Sequence, residues 1–347
     1  MTNANPLQFI DPQDPRWLSF TQSQSDSVIF HHPAWIDILE QTYHYRPFIL
    51  AHCAANGDIQ AGLPVMEVNS RLTGGRRWVS LPFSDYCPPL AIDAPALLEF
   101  TERLSALAAL PETPRIELRW QFPPHPQIIP YQHHVLHLNH LDPDFDVDYA
   151  RIHKRMRKHI RQTERANLRL EFGSQPEDIR KFYQLQLETR RRHGVPVQPR
   201  KFFDLLASQV LQKGMGFVLT AYQDDRMLAG LVLLHYQKTV TLKYSADTRD
   251  YEKLKPNYLL DVTAIRWSHE NGFQTIDYGR SALENTGLQD YKARLGATEM
   301  PLYYGVIGGE PPSSGDSKLM GIMSTIIRCS PKFVCRVAGE ILYRHVG

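Results

Sequence analysis

Two stretches of the chain carry the same pattern of apolar and polar positions. "PFILAHCAANGDIQAGLPVMEV", residues 47–68, runs apolar, breaks at a polar turn and runs apolar again. "GFVLTAYQDDRMLAGLVLLHY", residues 216–236, does likewise. Apolar runs joined through Asn-Gly-Asp or Asp-Asp-Arg predict β-hairpins. Each carries Ala-Gly-Leu just after its turn, at Ala61-Gly62-Leu63 and Ala229-Gly230-Leu231. Each is followed at a similar distance by a short strand running into an arginine, "RIELRW" with Arg119 and "TIDYGR" with Arg280. Two matches in the same order predict a duplicated fold.

Between the copies lies "PPHPQIIPYQHHVLHLNHLDPDFDVD", which reads as a strand and a crossover loop and places a domain boundary near residue 145. The second copy then opens on "RIHKRMRKHIRQTER", where Ile152, Met156 and Ile160 recur at helical spacing and predict one buried stripe. Beyond the second hairpin, "TVTLKYSAD" reads as a strand and "TRDYEKLKPN" as a polar loop. "YLLDVTAIRWSHENG" is a helix on the spacing of Leu259, Val262 and Ile265. "FQTIDYG", "LQDYKARLG" and "MPLYYGVI" follow as strand, helix and strand.

With 347 residues the chain exceeds a single ordinary core, and 42% hydrophobic with 22% charged residues describe a globular protein. The formal net charge of +2 makes the basic run at 151–165 a local feature. That run holds seven Lys or Arg against Glu164, and "DPDFDVD" before it holds four Asp. The Asp cluster as counter-charge is the favoured reading, with an anionic ligand left open. Duplex DNA is excluded as a partner, because no recognition motif accompanies the run. Cys53, Cys87, Cys329 and Cys335 form no C-x-x-C pair, the alternating His of "HHVLHLNH" lack a carboxylate or Cys at ligand spacing, and no metal is expected. "MTNANPLQFIDPQDP" lacks the apolar core of a signal peptide, and no run of about 18 apolar residues is present, so a reduced, cytoplasmic setting is expected.

A strand, loop and helix flanked by strands is how an acyl-CoA N-acetyltransferase builds its donor site, with backbone N–H groups of a Gly-rich loop on a pyrophosphate. Here Lys253, Lys255 and Pro256 occupy that loop and glycine is absent. The backbone cradle is therefore weak, which counts against a CoA donor.

Asp277-Tyr278-Gly279-Arg280-Ser281, then Thr286-Gly287, Tyr291-Lys292, Gly296 and Pro301-Leu302 with Tyr304, resemble the FemAB-like branch of the GNAT superfamily. The likeness is strongest to the group found with exosortase and exopolysaccharide gene clusters. "SVIFHHPAWIDIL", "AGLPVMEVNSRLTGG", "VSLPFSDYCPPL" and "IELRW" follow the order of that group's first half. The resemblance implies an α+β fold of tandem GNAT-like domains, each a mixed, mostly antiparallel sheet flanked by helices. The expected division is 1–145, 146–308, and a linker with an amphipathic helical tail over 309–347. It implies an N-acyl or aminoacyl transferase using acyl-CoA or aminoacyl-tRNA, with an amine of a cell-envelope glycan, exopolysaccharide or lipid-linked precursor as acceptor and tRNA as a partner. The alternative is a catalytically inactive GNAT-like pair that binds polysaccharide or RNA. In the aminoacyl group, residues at the positions of Lys292 and Arg192 hold anionic or carbonyl groups. A lysine near the first Trp also belongs to that pattern, and "PAWIDILEQ" has none.

Transfer to an amine needs orientation and a donor aimed at the developing oxyanion, and Lys292 fits by type. Arg280, released from the pleat by Gly279, reads as an anion clamp or as a partner of Asp277. Asp277 is a base or that partner, and Tyr258 a proton donor or a packing aromatic. Ser281 and Tyr291 belong to the same motif as substrate-binding candidates. Arg119, Asp85 and Tyr86 are the first copy's candidates for acceptor binding, or internal hydrogen-bonding groups. In the tail, apolar stripes (Leu319, Ile322, Met323, Ile326; Val334, Val337, Ile341) with Lys318, Arg328, Lys332, Arg336 and Arg344 suggest peripheral membrane contact through residues 318–347, or helices packed on the body.

Overall fold

A computed structural model describes residues 6–70, 75–249, 254–312 and 318–346, with side chains from 324 to 345 in the last stretch. Lys253, Lys318, Leu319, Ile322 and Met323 fall outside the described residues or side chains, as does part of the expected linker. The chain divides into two compact units. One comprises residues 1–134, 301–315 and 342–347, the other residues 135–300 and 316–341.

The first unit holds β1 (Gln8–Ile10), α1 (Pro15–Ser23), α2 (Pro33–Tyr43), β2 (Arg46–Cys53), β3 (Ile59–Ser70), β4 (Gly75–Val79), β5 (Leu90–Ala91), α3 (Ala94–Ala108), β6 (Arg115–Leu118) and the start of β7 (Ile129–His140). Its strands lie in the order β1-β2-β3-β4-β6, antiparallel except for the parallel β4–β6 pair, with β5 on β3. Trp17, Phe30, Trp35 and Phe100 are fully buried in its core.

The second unit takes the end of β7, then α4 (Phe145–Arg151), α5 (Lys154–Glu164), β8 (Arg169–Gly173), α6 (Pro176–His193), α7 (Arg200–Leu206), β9 (Gly216–Gln223), β10 (Arg226–Tyr236), β11 (Thr239–Asp247), α8 (Pro256–Glu270), β12 (Thr275–Ala282) and α9 (Thr286–Arg294). Its order, β8-β9-β10-β11-β12, is again antiparallel until a final parallel pair, β11–β12. The two units thus repeat one topology, with α3 and α8 as the crossover helices before the parallel strand. Asp93 caps α3 by accepting from the Ala96 N–H at 2.8 Å. α8 buries Leu259, Leu260, Val262, Ala264 and Ile265, so it lies inside the core.

Ala-Gly-Leu has the same cause in both hairpins. A Cβ on Gly62 would stand 2.8 Å from the Trp17 ring, and one on Gly230 2.9 Å from the Phe182 ring. In each unit a helix, α1 or α6, sets an aromatic ring against the second hairpin strand, and only glycine leaves room for it.

The basic run differs from the single helix expected. The chain breaks at Ile152 and His153, α4 ends at Arg151, and the His153 imidazole caps α5 by accepting from Arg155 N–H at 3.3 Å. The stripe itself holds, with Ile152, Met156 and Ile160 buried. The Asp cluster serves α4. Asp144 caps it, and buried Asp148 meets Arg151 at 2.7 Å, with Asp142 at 3.6 Å from the same guanidinium. The exposed cations of α5, Lys154, Arg155, Lys158 and Arg161, have no ion-pair partner among the described residues.

Residues 301–307 belong to β13 (Thr298–Ile307), expected to close the second copy. This stretch pairs antiparallel with β6, Gly305 opposite Leu118. The chain ends in α10 (Lys318–Cys329) and α11 (Lys332–Val346). No helix among the described residues is long and apolar enough to cross a membrane.

Gly230→Ala is expected to destabilise the protein by about 1–3 kcal/mol, the cost of overpacking a closed core. The midpoint of chemical denaturation checks this.

Candidate functional site

The second unit's site forms where its sheet opens. β11 and β12 pair at Thr239–Thr275, Val240–Ile276 and Thr241–Asp277, and no rung follows although both strands continue, to Asp247 and Ala282. On its other side β11 keeps its pairing with β10 but slips at Val232 and Leu233, which face Tyr244 and Leu242 and leave Lys243 as a bulge. Strands that part in this way leave backbone groups to be satisfied by side chains.

Those side chains are largely the candidates named from sequence. Asp277 is fully buried, and its Oδ1 accepts from the Gly279 N–H at 2.7 Å. Gly279 holds a left-handed φ of +69°, just past the last rung between β12 and β11. Lys292, on α9, is buried and donates to the Gly279 carbonyl at 2.9 Å and the Arg280 carbonyl at 3.1 Å. Ser281 follows, buried, its hydroxyl without a hydrogen-bond partner among the described residues. Arg280 is half-buried. His137, from β7, stands 3.2 Å from Glu299 and is fully buried. Burial foremost, then the Lys292 charge, lowers its pKa, and Glu299 opposes both.

A cavity of about 400 Å³ is lined by Arg192, Asp247, Arg249, Lys255, Tyr258 and Tyr291, among others. Arg192, from the last turn of α6, forms an ion pair with the Asp247 carboxylate and donates to the Asp247 carbonyl at 3.0 Å. The Asn257 amide donates to the same carboxylate at 2.8 Å. Asp247 therefore ties α6 and the start of α8 to the end of β11. The N-terminus of α8 offers little backbone to an anion. Pro256 has no N–H, Tyr258 N–H is spent on Lys255 O at 3.1 Å, and Lys255 itself holds a left-handed φ of 52°. Residues 250–253 of the loop that precedes it lie outside the described residues, and three cations, Arg192, Arg249 and Lys255, line the cavity.

Against two of the lining tyrosines lies a residue that the sequence reading did not name, Asp261. Tyr258 stacks on Tyr291 with centroids 5.7 Å apart, and the Tyr291 hydroxyl donates to Asp261. Asp261 is buried on α8, and burial pushes its carboxyl up to about 7 against the Tyr291 hydrogen bond. Tyr291 is likewise raised, by burial first and by Asp261 next. An acidic residue within the apolar run "LLDVTAI" was the available signal.

The first unit has its own polar and aromatic group. The Arg119 guanidinium lies over the Tyr304 ring at 5.4 Å, its Nε without a partner among the described residues. The Tyr304 hydroxyl donates to the Asp85 carbonyl at 2.5 Å, and Tyr131 meets Tyr304 edge-on at 5.7 Å. Tyr86 packs between Phe30 and Trp120. Asp85, Tyr86 and Arg119 are thus neighbours, joined through Tyr304, which sequence spacing did not reveal.

Comparison with known proteins agrees with this architecture. Residues 150–293 match the family of acetyltransferase (GNAT) domains. The fold is similar to that of FemX, with a TM-score of 0.66 at 12% identity over 86% of this chain and 96% of that one. It is similar to a protein of Agrobacterium fabrum described as the C-terminal domain of a lysylphosphatidylglycerol synthetase, at TM-score 0.57 and 15% identity over 90% and 95%. A tandem GNAT protein from the clavulanic acid biosynthesis pathway aligns at TM-score 0.50 and 10% identity over 88% and 100%. At these identities the likeness is one of fold, and that fold is FemAB-like and GNAT-like, in tandem, as the resemblance implied. The sequence matches no curated protein.

A carboxyl held near 7 in the native state and near 3.8 when unfolded binds its proton more tightly in the folded protein. Its contribution to stability is therefore full below about pH 4, declines as pH rises to about 7, and is flat above. Asp261→Asn, which keeps an acceptor for Tyr291, is expected to gain on the wild type by on the order of a few kcal/mol across that window. Unfolding midpoints measured along a pH series check it.

Proposed function

We propose that this chain, with a GNAT acetyltransferase domain over residues 150–293 and a FemAB-like fold, transfers an acyl or aminoacyl group to an amine of a cell-envelope glycan, exopolysaccharide or lipid-linked precursor. The observation that carries the proposal is the opened β11–β12 pair, with buried Lys292 fixed at the strand that turns away and a cationic cavity beside Tyr258 and Tyr291.

The amine's lone pair adds to the acyl carbonyl carbon, and the resulting oxyanion needs a fixed positive charge. Lys292 supplies it from a site where burial limits screening by water. The bond to the leaving group, a thiolate or a ribose oxygen, then breaks. The proton shed by the amine passes to that leaving group, with the Tyr258 hydroxyl as carrier. Arg280 and Ser281 hold the acceptor, and Asp277 positions both by fixing Gly279. In the first unit, Arg119, Asp85 and Tyr86 bind the glycan, offering an aromatic face and a guanidinium to a sugar and its anionic groups.

Both donors carry phosphates, which Arg192, Arg249 and Lys255 suit. Of the two, aminoacyl-tRNA is favoured by α5. His159 lies 5.9 Å from Tyr258 and the Thr163 hydroxyl donates to Leu254 O at 2.5 Å, so α5 packs beside the start of α8, and its exposed cations, Lys154, Arg155, Lys158 and Arg161, offer a long polyanion further contacts on the same unit. Both are cytoplasmic molecules, and the reaction as proposed runs on that side. The inactive, polysaccharide-binding reading draws on one observation, the Asp247 ion pair that occupies Arg192.

Lys292→Met, which keeps most of the volume, is expected to reduce transfer at least ~100-fold and, because it strands the Gly279 and Arg280 carbonyls, to lower stability by about 1–3 kcal/mol while the protein stays folded under assay conditions. Mass-resolved assays with acyl-CoAs and charged tRNA, on amine-bearing glycans, read the result. Undiminished transfer by the variant would remove Lys292 from the chemistry. Arg155→Glu with Lys158→Glu is expected to weaken tRNA binding roughly tenfold or more, most at low salt. Gel-shift titration at two salt concentrations checks this, and unaltered binding would return the donor to acyl-CoA.

A further inference from the structure

His137 is an imidazole that packing does not explain. It is fully buried on β7, which lies between β13 and β12 in the sheet. From β13, Glu299 brings its Oε2 to 3.2 Å from His137 Nε2, and the Glu299 side chain is 46% exposed. The other ring nitrogen, Nδ1, has no hydrogen-bond partner among the described residues. A buried polar atom left so works against folding and calls for another use.

The strand on the other side leads to the site. The Leu141 N–H donates to Gln274 O at 2.9 Å, and His140 Nδ1 stands 3.3 Å from Thr275 Oγ1. β7 reaches these contacts at its end and β12 at its beginning, so the strands run in opposite directions and His137 comes level with Tyr278. The next residue is Gly279, whose carbonyl accepts from Lys292 at 2.9 Å. The charges that act on the imidazole are those of Lys292, from α9, and Glu299, from β13. Burial and Lys292 outweigh Glu299, so the ring is neutral near pH 7. With Nε2–H toward the carboxylate, Nδ1 carries the lone pair.

The reaction supplies a proton for it. An amine of ordinary basicity in neutral water is its ammonium ion, which has no lone pair. That nitrogen carries three protons, and the amide keeps one. The leaving group takes the second. The third must go before the nitrogen can add to the acyl carbon.

We propose that His137, backed by Glu299, accepts this third proton by way of Lys292. The acceptor's ammonium gives a proton to Lys292 as Lys292 gives one to His137 Nδ1. The imidazolium then faces the Glu299 carboxylate, and Lys292 is again charged for the oxyanion. The transfer is uphill and is drawn on by the addition that consumes the free amine. When product leaves, the imidazolium returns its proton to water by the same route. The inference rests on the acyl-transfer reading.

Two measurements test it. The first needs no substrate: His137, assigned through its backbone, is followed by NMR along a pH series. Lys292→Met should raise its pKa and Glu299→Gln should lower it, and an unmoved value in either variant overturns the proposal. The second is transfer from acetyl-CoA and from alanyl-tRNA to glucosamine oligosaccharides, between about pH 6 and 9. His137→Gln and Glu299→Gln should each lower kcat at least ~tenfold at the acid end with KM unchanged. The deficit should close as pH rises and the acceptor arrives deprotonated. Glu299, half-exposed, keeps the test open should His137→Gln fail to fold. Undiminished transfer, or a deficit equal at every pH, overturns the proposal and leaves the acyl-transfer reading standing. A wild type that transfers from neither donor overturns both.

Discussion

Hydrogen bonding governs the site through one geometric fact: two parallel strands, β11 and β12, stop pairing after Thr241 and Asp277. A buried N–H or C=O left without a partner costs on the order of 1–3 kcal/mol, so an opened sheet survives only where other groups replace the missing rungs. Asp277 takes the Gly279 N–H, and Lys292 takes the carbonyls of Gly279 and Arg280. Thr189 and Arg192 serve the backbone of Asp247 at the end of the other strand. The residues that keep the sheet open are therefore among those that stand at the opening, and folding itself fixes their positions.

The repeat itself was plain in the sequence. Alternation and turn residues give both hairpins, and the strand ending in Arg280 and the helix before it lie where periodicity puts them. Ala-Gly-Leu was legible as a motif but not as a cause, because the rings that demand Gly62 and Gly230 come from helices far away in sequence. The same distance in sequence hid the Asp261–Tyr291 pair and the link from Asp85 to Arg119 through Tyr304. Local pattern specifies elements; it does not specify which side chains meet across them.

Charge was legible only as a sum. Seven cations and four nearby aspartates suggested mutual neutralisation, yet Asp148 and Asp142 are committed to Arg151 and Asp144 to a helix cap. The break at Ile152 and His153 separates α4, with its acids, from α5. What remains on α5 is a solvent-facing cationic strip, a result of backbone geometry more than of composition.

Asp261 is a carboxyl that α8 buries within an apolar stretch. α8 is apolar around most of its circumference, and an apolar residue at this position would be easier to bury than a carboxyl. The carboxyl answers the desolvation by holding its proton up to about pH 7. Its contact with Tyr291 then reaches the stacked Tyr258 at the wall of the cavity. As pH rises the carboxyl weakens the core it is buried in, a cost that an apolar residue at the same place would not carry, so packing alone does not account for it.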